Sequence, residues 1–129
     1  MAIARERARQ RRQKSDEAER AYVTFLDSVA APLARQIVNA LRAEGYSFTL
    51  STPGRGLRLS LDAGRDDFVE LALVTDVDKP HVVGRIRRTR GSRTFDEERP
   101  VKQDAGPEDV TEDELLEFLL GTLEPWLAR

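Results

Sequence analysis

The sequence predicts an α+β fold: a two-layer sandwich in which an antiparallel meander of four to five strands carries a long N-terminal helix and a C-terminal helix on one face. Three observations lead there. Apolar residues recur with a period near 3.6 from Tyr22 to Leu41. The period changes to two between residues 46 and 101. A helix-start signature at Thr111 then opens a second helical stretch. Each strand segment is half polar, so one sheet face is expected wet and the other covered by both helices. With 129 residues the chain has the length of one ordinary domain. Residues 1–20 read as a charged, partly disordered helical extension, and residues 21–129 as the single α+β domain.

The first helix rests on Tyr22, Phe25, Leu26, Val29, Leu33, Ile37, Ala40 and Leu41, which fall at the i, i+3, i+4, i+7 spacing of one buried face. Val23, Ala30, Ala34 and Val38 widen that arc to roughly 220° at 100° per residue. One layer of packing needs far less. Pro32 interrupts the run, and a kink is favoured over a break because the stripe stays in phase across it. Gly45 ends the helix, since glycine enters the left-handed cap conformation without steric cost.

Strand alternation follows in five segments. Tyr46, Phe48 and Leu50 alternate with polar residues, and Pro53-Gly-Arg-Gly56 turns the chain into Leu57, Leu59 and Leu61. A break at residues 63–67 precedes Phe68–Thr75, with Val69, Leu71 and Leu73 on one face. Pro80 closes the next turn before His81–Arg90, and Gly91-Ser92 suits a two-residue hairpin that returns along residues 93–101. The last helix is announced by a capping box, Thr111-Glu-Asp-Glu114, with Val110 and Leu115 placed to staple the same end. Leu115, Leu116, Leu119, Leu120, Leu123, Trp126 and Leu127 give it a broad apolar face. Pro125 is expected to kink it or to end it near Glu124.

Composition narrows the chemistry. Cysteine is absent, which excludes disulfides, thiol nucleophiles and thiolate metal sites. His81 is the single histidine, so no multi-histidine site forms, and no cofactor or metal is expected. A pocket joining His81 to two carboxylates would reopen the enzymatic reading. Asp62, Asp66, Asp67, Asp76 and Asp78 lack calcium-loop spacing and read as turn residues. No apolar run approaches the ~20 residues of a membrane span. The opening Met1–Arg7 lacks a secretory apolar stretch, so a cytoplasmic location is expected.

Charge is unevenly distributed beneath a formal net of −2. Residues 1–14 carry +5 through Arg5, Arg7, Arg9, Arg11, Arg12 and Lys14 against Glu6, and residues 103–129 carry −7. A second basic cluster occupies Arg85, Arg87, Arg88, Arg90 and Arg93. If Gly91-Ser92 forms the hairpin turn, Arg85 faces Glu98, Arg87 faces Asp96, Thr89 faces Thr94 and Arg88 faces Phe95, so the ribbon neutralises itself.

These readings point to a small non-enzymatic interaction protein, a self-associating module whose partner is another protein or a second copy. The dimer interface is expected at Val23, Ala30, Ala34 and Val38. A partner surface is expected at Phe68, Ala72, Val74 and Val83 on the wet sheet face. The alternative is a nucleic-acid-binding module, with Arg9, Arg11, Arg12, Lys14, Arg85, Arg87, Arg90 and Arg93 as phosphate contacts.

Overall fold

Helical residues open the chain and run without a break past Pro32. The computed structural model describes residues 2–62 and 66–127. In it, α1 (Ala2–Phe25) passes through a π turn (Leu26–Ala30) directly into α2 (Ala31–Ala43). Proline explains the turn. Pro32 has no N–H to give the carbonyl four residues back, and its ring clashes there in a regular helix. The wider π turn accommodates this, with the Ala31 N–H bonding to the Leu26 carbonyl.

That turn also changes the phase of the buried face. Before it, the buried residues are Ala18, Tyr22 and Phe25; after it they are Ala30, Leu33, Ala34, Ile37 and Val38. Phe25 and Ala30 are five residues apart, a spacing an α-helix would place on different faces. Ala40, which the regular wheel puts on the core side, is exposed, and Val29 is half-buried. The roughly 220° arc is therefore two narrower arcs joined across the π turn.

The sheet is a five-stranded antiparallel meander in the order β1-β2-β3-β4-β5. Its strands are β1 (Phe48–Ser51), β2 (Leu57–Leu61), β3 (Phe68–Val74), β4 (His81–Arg90) and β5 (Arg93–Pro100). The part of the β2–β3 break at 63–65 lies outside the described residues. Register puts Leu50, Leu59, Val69 and Ile86 in one row, and Leu57, Leu71 and Gly84 in the next. These side chains meet α2 and α3 (Glu112–Leu127) in the core, joined by Leu115, Leu119 and Leu123. Each fully buried aliphatic contributes about 1.5–3 kcal/mol. Gly84 lets α3 sit close to the sheet, because a Cβ there would run into the Phe118 ring.

The capping box closes as its spacing predicts. The Thr111 N–H donates to Glu114 Oε1 at 2.9 Å, and the Glu114 N–H donates to Thr111 Oγ1 at 3.2 Å. Pro125 leaves α3 helical through Leu127. No helix among the described residues is long and apolar enough to cross a membrane.

Candidate interaction surfaces

Among the described residues, the first turns of α1 have no packing partner. Between Ala2 and Lys14 every residue is exposed except Ala8, which is half-buried. Body contact begins near Ala18, where α1 meets the connector between β5 and α3. Lys14, Glu17, Ala18 and Ala21 share a groove of about 470 Å³ with Pro80, Asp104, Pro107 and Glu108. Residues 2–14 therefore form a helical arm standing off the domain.

The arm is electrostatically unfavourable as an isolated helix. Its N-terminal end holds Arg5 and no acid in the first turn, against the sense of the helix dipole. Arg5 and Arg9, and Arg7 and Arg11, are like charges four residues apart. One ion pair relieves this, Arg9 to Glu6 at 2.6 Å. Arg5, Arg7, Arg11, Arg12 and Lys14 have no acidic partner among the described residues.

The outer sheet face is different, because its charges are already matched. Arg58, Glu70, Arg85 and Glu98 sit in one cross-strand row, alternating in sign across four strands. Arg58 reaches Glu70 at 3.0 Å, and Arg85 reaches Glu98 at 2.9 Å. In the neighbouring row Arg87 pairs with Asp96 at 2.7 Å. Their hydrogen bond lowers the Asp96 carboxyl and raises the Arg87 guanidinium from their ordinary values. Phe68 lies beneath two of these cations, Arg58 at 4.2 Å and Arg87 at 5.5 Å from the ring centroid. Arg88 turns toward Glu97 at 3.7 Å.

The expected surfaces are revised accordingly. Ala30 and Ala34 are both 0% exposed and Val38 is buried, so these three belong to the core of the single chain. The π turn rotates them inward, and the free shoulder expected of Val23, Ala30, Ala34 and Val38 reduces to Val23. On the sheet face Val83 is buried, while Phe68, Ala72 and Val74 are half-buried. Among the candidate phosphate contacts, Arg85 and Arg87 are held by acids and Arg9 by Glu6. Arg11, Arg12, Lys14, Arg90 and Arg93 have no acidic partner among the described residues. The arm leaves the body beside the β3–β4 turn, whereas Arg90 and Arg93 flank the turn at the other end of β4. The two basic elements do not form one phosphate track.

His81 shares a groove of about 420 Å³ with Asp78 and Asp104, so the pairing that would reopen an enzymatic reading does occur in outline. Nδ1 lies 2.9 Å from the Lys79 carbonyl, and among the described residues no carboxylate is hydrogen-bonded to the ring. No group of three His, Cys, Asp or Glu side chains among the described residues is arranged to hold a metal ion.

Two buried polar groups escaped the sequence reading. Asp67, read as a turn residue, accepts the Thr89 N–H at 2.8 Å and the Trp126 indole N–H at 2.9 Å, tying β4 and α3 together. Tyr22 buries its hydroxyl, with no hydrogen-bond partner among the described residues, beside a cleft of about 280 Å³. Burial, with Glu70 nearby, pushes its phenol up to about 12. Neither could be read from spacing, because each depends on elements distant in the chain. The chain matches no protein-family model, and no curated protein or solved structure is detectably similar to it.

Proposed function

We propose that this chain is a small non-enzymatic interaction protein, a self-associating, partner-binding module that works through its exposed basic arm. One observation carries the reading: residues 2–14 of α1 have no packing face, and among the described residues five of their cations have no acidic partner. A helix polar all round gains little from its own chain beyond the packed part that follows it. An acidic protein surface would relieve both the dipole and the like-charge repulsion along it.

The test is titration of the full chain with fluorescent poly-glutamate, followed by anisotropy. The Arg7→Glu/Arg11→Glu/Arg12→Glu variant should lose at least tenfold in affinity. Equal binding by wild type and variant would remove the arm as the working surface. Nucleic acid is the second reading, supported by the same unpaired arginines. It would show as tighter binding to a duplex oligonucleotide, with affinity falling steeply as salt rises.

A further inference from the structure

We infer that the arm's partner is a second copy of this chain, and that the arm of each copy lies antiparallel along α3 of the other. This deepens the reading above and rests on it. The outward face of α3 supplies the complement. Asp113, Glu117, Leu120 and Glu124 are all exposed and follow one another at i, i+4, i+7 and i+11, an acidic stripe interrupted by one leucine. None of its three acids has a cationic partner among the described residues.

One antiparallel register matches both apolar and charged positions. Ile3, Arg7 and Arg11 follow one another on one side of the arm at i, i+4 and i+8. Set against α3, Ile3 meets Leu120, Arg7 meets Glu117 and Arg11 meets Asp113. At 1.5 Å per residue the arm positions span about 12 Å and the α3 positions about 10.5 Å. Ile3 and Leu120 are among the most exposed large apolar residues described, at 70% and 47%. Gly121 beside Leu120 has open space around it and lets another helix approach. In the same register Lys14 falls opposite Asp109, beside the 3-10 turn at Pro107–Asp109.

The arm cannot make these contacts within its own chain. α1 meets that 3-10 turn through residues 14–21 and continues C-terminally into the π turn that contacts α3, so the arm extends from the 3-10 turn in the N-terminal direction. α1 carries Ile3 fifteen residues beyond Ala18, about 22 Å of helix. Reaching its own α3 would require breaking α1. A two-fold arrangement places the two connectors end to end and lets both arms engage at once, the usual closed solution for a homodimer. A nucleic-acid backbone fits less well, because Asp78, Asp104 and Glu108 line the groove at the base of the arm and would repel phosphate.

Sedimentation equilibrium on the full chain at micromolar concentration tests this. Twice the 14.6 kDa chain mass is expected at about 0.05 M salt, and the monomer near 1 M, where the screening length is about 3 Å. Arg7→Glu/Arg11→Glu should be monomeric at low salt, as should Asp113→Arg/Glu117→Arg, and an equimolar mixture of the two should restore the dimer mass. Far-UV circular dichroism checks that each variant is folded; Glu117→Arg alone replaces the α3 pair if it is not. A wild type that stays at 14.6 kDa at both salts overturns the inference, as does a dimer that both reversals leave intact, or two monomeric variants that fail to associate. If the wild type is monomeric but still binds poly-glutamate through the arm, the second copy is wrong and the arm reading stands. If that binding is independent of the arm, both fall.

Discussion

Arg85 shows how much a single residue's role depends on the strand beside it. In isolation it belongs to a basic run that could follow a phosphate backbone; in the sheet it is one member of an alternating row with Glu70 and Glu98. Arg85 and Glu98 are each about half exposed, so solvent screening keeps the pair weak. Arg85→Glu should cost about 0.2–1 kcal/mol in urea unfolding, and adding Glu98→Arg should restore most of it. A double-mutant cycle showing no coupling would contradict the observed contact. Tyr22 carries the opposite expectation. Its buried hydroxyl has no partner among the described residues, so Tyr22→Phe should raise stability by roughly 1 kcal/mol as an unpaired polar group is removed. A loss of that size would reveal a hydrogen bond to the hydroxyl in solution. The raised phenol has a pH consequence as well. Below pH 10.0, the ordinary value for tyrosine, this phenol leaves stability independent of pH, and stability is lost as pH rises toward about 12 because burial penalises the ionised form in the folded chain. Ultraviolet titration of the folded chain should place one phenol at that upper value.

At the scale of elements, the π turn decides which residues of the first helix become core. Without it Phe25 and Ala30 could not share a face. Deleting Asp27, which is exposed within the turn, brings the two to a four-residue spacing and converts the π turn to α geometry. The domain should stay folded, at a cost of about 3 kcal/mol from returning Pro32 to regular helix geometry, the retained core contacts being worth more than that. Deleting the exposed Arg35 should instead unfold it, because Ile37 and Val38 then rotate out of the core by about 100° each. Thermal unfolding followed by circular dichroism compares the two. Equal losses from both deletions would show that the turn does not set the phase. In α3 the corresponding lesson is simpler, since Thr111 and Glu114 cap it through contacts within one turn.

For the whole molecule, acid sensitivity follows from carboxylates whose pKa the fold lowers. The Glu114 carboxyl is lowered chiefly by the Thr111 backbone N–H and then by Lys102, and the Asp62 carboxyl by the Ser47 and Thr49 hydroxyls. A lowered folded value means that the ionised group supports folding above its unfolded value, near pH 4.5 for Glu114, and that the support is lost as pH falls through the folded value. Glu114→Gln should therefore be less stable than wild type at pH 7, with the gap closing below pH 4.5; urea midpoints across pH 3–7 measure it. A gap that stays constant with pH would remove the charge as its cause. The sequence by itself determined the α+β class, the meander, the cap at Thr111 and the Arg85–Glu98 and Arg87–Asp96 register. Each of these depends on local periodicity, a short turn or neighbouring residues, and such signals survive in one dimension. Only the tertiary structure decided that Ala30, Ala34 and Val38 lie inside, that Asp67 joins β4 to Trp126, that Tyr22 hides its hydroxyl, and that the arm stands clear of the body. The π turn is invisible to a 100° wheel because its extra residue shifts the phase of every residue after it. The Asp67 bonds and the free arm depend on how elements far apart in the chain are packed, which no spacing along the sequence encodes.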